Sequence, residues 1–265
     1  MGSRRDFLAA AGGVLLAGCD APPRALPRNG PSMRPPAPPR GDRRPVVVEL
    51  FSSEGCSSCP PADTLLASLV TEQPVPGAFI LGLELHVDYW DDLGWKDPFS
   101  SATFTAWQRR YAARPGHRGL FTPEAVIAGR WSTVGTDRDD VVAAIERATR
   151  EPATVPEITD GPDAGSIAIT LRETPARRAT LELVVTEWGL SSRPDRGENR
   201  GASLRHAPVV RYVNQIADRA FAGSVTARMP PAFAAPAPNV ETVALLRDAE
   251  SLAILGAASR RAAGG

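Results

Sequence analysis

A chain of 265 residues that is 43% hydrophobic has enough apolar material for one large domain or two small ones. Its 30 Lys+Arg balance its 30 Asp+Glu, which leaves no broad basic field for nucleic acid. Lys96 is the only lysine, and the arginine, alanine and proline bias reads as coding composition, since Arg-for-Lys exchange matters only at bidentate or stacked sites.

Residues 1–19 have the pattern of an export signal and are set aside from the fold. Ser3-Arg4-Arg5-Asp6-Phe7-Leu8 resembles a twin-arginine signal, and the apolar run 7–17 is too short to span a bilayer. Leu16-Ala17-Gly18-Cys19 resembles a bacterial lipobox. The expected product is a periplasmic lipoprotein cleaved before Cys19 and held to the membrane by acyl chains on it; the alternative is a soluble secreted protein. Residues 20–44, with Pro22, Pro23, Pro27, Pro31, Pro35, Pro36, Pro38 and Pro39, form a semi-extended tether.

Val46-Val47-Val48-Glu49-Leu50-Phe51 is a short β-branched run, as in a strand buried on both faces of a parallel sheet. Ala62, Leu65, Leu66, Leu69 and Val70 then recur at helical spacing. Between them lies Cys56-Ser57-Ser58-Cys59-Pro60-Pro61, with Cys56 at or just before the first helical turn. Unpaired N–H groups and the positive dipole end favour a thiolate there, and prolines cost little in a first turn. Residues 79–87 read as a second buried strand, followed by a loop dense in aromatics and carboxylates from Asp88 to Phe99. A helix is expected over 101–113 with Phe104, Trp107 and Tyr111 on one face, then a hairpin of 124–128 and 130–134 about Gly129. Asp137 is the expected cap of a helix burying Val141, Val142, Ile145 and Ala148. This order is α/β, with the first strand pairing parallel through a crossover. From residue 153 the pattern changes to strands separated by turns, at 166–171, 180–186, 209–215, 240–247 and 252–257. The expected divisions are thus 1–19, 20–44, an α/β unit over 45–152 and an antiparallel β-rich unit over 153–265.

If Cys19 carries lipid, Cys56 and Cys59 are the remaining thiols, free to pair with each other, a substrate or a metal. A CxxC after a strand in an α/β pattern reads as a redox dithiol, with Cys56 as nucleophile and Cys59 as resolver of a mixed disulfide. A short-loop structural disulfide and a metal site are the alternatives, and a closed zinc site would need further ligands. His86 and Asp88 stand at the end of the second strand, an edge where sites form, and strand alternation places them on one side. They could join copper or zinc binding with the thiols; the plainer reading is a structural histidine and a turn-capping aspartate. Trp90, Trp95, Phe99 and Trp107 either cover the dithiol or pack the inserted helix. His117 and His206 show no partner pattern, and Arg196-Gly197-Glu198-Asn199-Arg200-Gly201 reads as a loop.

The strand followed by Gly55-Cys56-Ser57-Ser58-Cys59-Pro60-Pro61, with Thr122-Pro123 ahead of a hairpin, resembles the thioredoxin fold. More narrowly, Val48-Glu49-Leu50-Phe51, the Cys-Ser-Ser-Cys-Pro-Pro-Ala-Asp stretch, His86-Val87-Asp88-Tyr89-Trp90 and Gly94-Trp95-Lys96-Asp97-Pro98-Phe99 resemble the exported bacterial family called domain of unknown function 1223. The resemblance implies a thioredoxin-like domain with an inserted loop and helix, and a cis Pro123 facing the CxxC. Cys56, Cys59 and Pro123 are then the expected catalytic residues, protein thiols or disulfides the partners, with no cofactor. A metal-binding protein and a non-catalytic assembly module are the other functions in view.

Overall fold

The computed structural model describes residues 43–220, 222–235 and 237–261. The twin-arginine motif, Cys19 with its lipobox and nearly all of the tether lie outside them.

Strand β1 (Arg44–Ser52) is buried on both faces from Val46 onward. It leads through the cysteine turn into helix α1 (Pro60–Glu72), which opens on two prolines and buries Leu66, Leu69 and Val70. The helix stops at Gln73, in left-handed backbone conformation. The Gln73 side-chain amide donates to the Val70 and Ile80 carbonyls and accepts from the Ile80 N–H, fastening the helix end to the next strand. That strand, β2 (Ala78–His86), is buried along its whole length and runs parallel to β1, with Ser52 opposite His86. Helix α2 (Ala102–Ala112) is capped by the Ser101 hydroxyl, which accepts from the Thr103 N–H. The hairpin of β3 (Glu124–Ile127) and β4 (Trp131–Val134) lies antiparallel beside β1. Helix α3 (Arg138–Ala148) is capped by Asp137.

Beyond α3 the chain is strands and turns: β5 (Glu157–Asp160), β6 (Ser166–Leu171), β7 (Ala179–Glu187), β8 (Ser191–Ser192), β9 (Leu204–Arg205), β10 (Val209–Ala217), β11 (Gly223–Arg228), β12 (Val240–Asp248) and β13 (Ile254–Arg261). Residues 252–257 were expected as the last strand; it starts two residues later and runs to Arg261. Strands β5 and β11 escape the sequence reading because they are short and mostly solvent-facing, with little apolar alternation.

The protein is α/β, with a mixed eight-stranded sheet in the order β13-β12-β7-β10-β2-β1-β3-β4 and, among the described residues, three α-helices. Strands β10, β7, β12 and β13 pair antiparallel with one another. Strand β10 meets β2 in parallel at Val209 opposite Glu84, so the C-terminal strands extend the sheet begun by β1 and β2. On one face, α1 and α3 pack over β1, β2 and β3. On that same face, the small sheet β11-β6-β5 covers β7 and β12 through Leu181, Leu183, Val185, Ala244 and Leu246. The other face carries α2, whose Phe104, Trp107 and Tyr111 pack with Phe51, Leu83, Val184 and Val243.

On the α2 face a buried ionic cluster joins the two halves of the chain. The Arg247 guanidinium donates to Glu49 Oε1 at 2.9 Å and to Glu182 Oε2 at 2.8 Å, and also to the Tyr111 hydroxyl. Tyr111 in turn donates to Glu49 Oε2 at 2.6 Å, and the Trp107 ring lies 4.8 Å beneath the guanidinium. Removing one partner leaves buried charge uncompensated. Arg247→Met is therefore expected to destabilise the fold by roughly 3–5 kcal/mol in urea unfolding, with a Glu49→Gln/Arg247→Met pair costing less than the sum of its single changes. A loss under about 1 kcal/mol for Arg247→Met would show the cluster to be incidental.

Candidate functional site

Strands β1 and β2 end side by side, and the site is built on those ends. Cys56 and Cys59 form a disulfide in the turn before α1, with Cα atoms 5.5 Å apart and Cys59 as the helix N-cap residue. Both cysteines are buried, while Ser57 and Ser58 between them are exposed. The Ser58 hydroxyl lies 3.3 Å from Cys56 Sγ. Gly55 sits in close quarters, since a Cβ there would stand 3.0 Å from Trp90 Cβ.

The 196–201 segment, expected as a loop, binds the backbone of the cysteine turn. Glu198 Oε2 accepts from the Ser57 N–H at 2.8 Å, and Asn199 Nδ2 donates to the carbonyls of Glu54 and Cys56 at 2.8 and 3.0 Å. Bonds from Ser57 hold the Glu198 carboxylate below its ordinary pKa. Gly197 lets the loop approach: its φ is +73°, and a Cβ there would lie 3.0 Å from Trp95 Cβ.

Beneath the disulfide runs a buried chain of five ionisable groups. Asp97 Oδ2 lies 2.6 Å from His86 Nδ1, and His86 Nε2 lies 2.9 Å from Glu84 Oε1. The same Glu84 oxygen lies 3.0 Å from His206 Nδ1, and His206 Nε2 lies 2.9 Å from Glu54 Oε1. The Glu54 N–H donates back to Asp97 Oδ2 at 2.8 Å, and Trp95 Nε1 donates to Glu54 Oε2 at 2.8 Å. Every imidazole nitrogen faces a carboxylate oxygen, the geometry of two imidazolium rings. Burial alone would lower both histidine pKa values, but Asp97 and Glu84 push His86 well above its ordinary value, and Glu84 and Glu54 push His206 up to about 10. Burial likewise works to raise Glu84 and Asp97, and the imidazoles hold both below the usual carboxylate range. Asp63, one helical turn after Cys59, accepts from the Ser52 hydroxyl at 2.6 Å. Burial and the nearby Glu84 push its pKa up to about 8.

Of the residues singled out from the sequence, Cys56, Cys59 and His86 meet at this edge. Asp88 goes elsewhere: β2 ends at His86, and the Asp88 carboxylate and N–H are both bonded to Thr105 Oγ1, which fastens α2. It is Glu84, two residues before His86, that shares the ring's face. The Thr122–Pro123 bond is cis. It sits just ahead of Glu124, the partner of Phe51 across β3 and β1, and the Thr122 hydroxyl accepts from Trp90 Nε1 at 2.9 Å. Trp90 thus stands between the Gly55 turn and the proline loop. Trp107 is core packing, whereas Trp95 and Phe99 belong to the site. His206, left without a role by its sequence surroundings, is at the centre, while His117 bonds Glu124 outside it. The signal for Glu84 was visible: a carboxylate and a histidine two residues apart within an otherwise apolar strand. Among the described residues, Glu84, His86 and His206 are also the group of side chains able to hold a metal ion, their ligand atoms lying within 4.8 Å of one another. A separate groove of about 630 Å³, lined by Arg114, Arg130, Trp131 and Arg147 among others, contains neither cysteine.

The protonation pattern sets the direction of pH dependence. His206, at about 10 when folded against roughly 6.5 unfolded, contributes stability that is full below about pH 6.5 and is lost as the pH rises through its folded value. Asp63 acts in the same sense from roughly pH 4 up to about 8. Glu84 and Asp97 act oppositely, losing stability only as the pH falls through their lowered values. The thermal midpoint of the oxidised protein is therefore expected to be higher at about pH 5.5 than at about pH 8.5, and Asp63→Asn to narrow that difference. A midpoint that rises over this interval would contradict these assignments.

Comparison with known proteins places this geometry in a family. Residues 47–247 match the family described as protein of unknown function, DUF1223. A crystal structure of a protein from Agrobacterium tumefaciens, determined by a structural genomics consortium, is similar at a TM-score of 0.63 and 24% identity, over 85% of this chain and 98% of that one. No curated protein matches. The chain belongs to the DUF1223 family.

Proposed function

We propose that this protein is an exported, membrane-tethered, thioredoxin-like thiol–disulfide exchange protein acting on periplasmic protein thiols. The observation that carries this reading is the Cys56–Cys59 disulfide at the carboxyl end of two parallel strands, in the turn that opens α1. The thioredoxin-like part of the reading is supported by the parallel β1-α1-β2 unit, the antiparallel β3-β4 hairpin, α3 and the cis Thr122–Pro123 bond, with the 88–112 segment taken as an insertion after β2.

The chemistry follows from the positions of the groups. A substrate thiolate attacks Cys56 Sγ, the Cys56–Cys59 bond breaks, and Cys59 leaves as a thiolate, giving a mixed disulfide on Cys56. A second substrate thiolate then attacks the substrate sulfur and releases Cys56. The substrate dithiol is oxidised to a disulfide, and the pair is reduced by two electrons. In reverse, the Cys56 thiolate attacks a substrate disulfide and Cys59 resolves the intermediate. The Ser58 hydroxyl can donate to a Cys56 thiolate from its position 3.3 Å away. Asp63, raised to about 8, offers a proton donor or acceptor one turn from Cys59. Both cysteines are buried and Glu198 and Asn199 bind the turn that carries them, so access is expected to involve release of that loop.

Exchange is measured with the oxidised protein and a reduced dithiol peptide. Cys56→Ser is expected to fall to the uncatalysed rate, and Cys59→Ser, mixed instead with the peptide in its disulfide form, to accumulate a mixed disulfide on Cys56 because the resolving thiol is gone. Asn199→Ala, which frees two carbonyls from the 196–201 loop, is expected to raise the rate. Full exchange activity in Cys56→Ser would end the proposal.

A further inference from the structure

The geometry points to a binding site for one zinc-class divalent ion formed by Glu84, His86 and His206, buried on the α1 face of the sheet. The site lies beside the disulfide and does not depend on the thiol exchange proposed above.

The donor set is the first argument. Two imidazoles and one carboxylate suit zinc and its first-row neighbours; calcium and magnesium prefer all-oxygen shells. Only three histidines occur in the chain, and two of them converge here from positions 120 residues apart in sequence. Glu84 Oε1 lies 2.9 Å from His86 Nε2 and 3.0 Å from His206 Nδ1. Adjacent ligands of a tetrahedral zinc ion, at bond lengths of about 2.0–2.2 Å, stand roughly 3.3 Å apart. The three ligand atoms lie within 4.8 Å of one another, so seating an ion moves each ring nitrogen off Glu84 Oε1 and draws the two nitrogens toward a common centre.

The second argument is the surrounding shell. Histidines that bind a metal present their other ring nitrogen to a carboxylate or carbonyl, which fixes the ring and raises its basicity. Both rings satisfy this with separate groups: His86 Nδ1 meets Asp97, and His206 Nε2 meets Glu54. The Phe99 ring packs against both imidazoles, with centroids 5.2 and 5.0 Å away, and excludes water from that side.

The third is an unsatisfied atom. Glu84 Oε2 is buried and has no hydrogen-bond partner. A bidentate Glu84 would use that oxygen and complete four coordination with the two ring nitrogens. One divalent ion would also replace the two ring protons directed at Glu84, leaving the charge of the buried site unchanged. The other ionisable groups facing the site are Glu54, Asp97 and Asp63, with the Arg211 guanidinium 5.2 Å from the centre of the Phe99 ring.

The test uses the full chain with its disulfide oxidised, stripped by chelator, loaded with Zn(II) and passed through a desalting column before elemental analysis. One retained equivalent is expected, both for this protein and for the Cys56→Ser/Cys59→Ser variant. Co(II) in its place is expected to give the visible bands of a four-coordinate nitrogen and oxygen site without thiolate charge-transfer absorption. Glu84→Gln and His206→Asn are expected to abolish retention, and Asp97→Asn to weaken affinity about 10–100-fold. No retained ion, retention that survives folded Glu84→Gln, or loss in the double cysteine variant would each overturn the site. Should the substitutions prevent folding, ring-nitrogen NMR of the unmodified protein decides: zinc shifts the His86 and His206 resonances, and unchanged resonances refute it.

Discussion

Glutamates in the middle of two fully buried strands govern how this chain folds, because a buried carboxylate must find compensating charge or donors. Glu49 on β1 and Glu84 on β2 project to opposite faces of the sheet, as strand alternation dictates. Each meets a cationic partner from far along the chain: Glu49 meets Arg247, 198 positions away, and Glu84 Oε1 meets His206, 122 positions away. The C-terminal strands are thereby committed to the same sheet as β1 and β2. Strand β12 brings Arg247 to Glu49, and the turn ahead of β10 brings His206 to Glu84.

The two clusters differ in what else they touch. The Arg247 cluster packs against Tyr111 and Trp107 and reaches the surface through Arg110, 3.8 Å from Glu182, and its consequence is stability. The histidine cluster reaches through Glu54 to the residue before the Gly55 turn and through Asp97 to the inserted loop, and it lies against Asp63 under α1. The cysteine turn is therefore held from below by charge and from above by Glu198 and Asn199. Two distant segments, around residues 198 and 206, contribute to a site whose cysteines lie in the N-terminal unit, which gives the C-terminal region a role at the disulfide as well as in the sheet.

Much of this was legible in the sequence where the signal is local. The β-branched run at 46–48, the prolines after Cys59 and the cap Asp137 each determine structure through neighbours a few residues away. Those elements lie close to where the pattern placed them. The edge strands β5 and β11 lacked a buried stripe and gave no such signal. The pairing of His86 with Asp88 came from extending strand alternation forward, past the point where β2 ends. The same alternation counted backward reaches Glu84. His206 and Asn199 could not be read locally, since what defines them is proximity to Glu84, Glu54 and Cys56 created only by the join of β10 to β2.

The central claim, that Cys56 and Cys59 are a working redox couple rather than a staple, is tested most directly by their reduction potential. The intact chain is equilibrated in graded glutathione buffers, and the peptide carrying both cysteines is scored for free thiols by mass tagging. A value between roughly −270 and −120 mV, the span of thioredoxin-like catalysts, is predicted, and its position would indicate the direction of exchange. A value below about −300 mV would mark a structural disulfide and contradict the account.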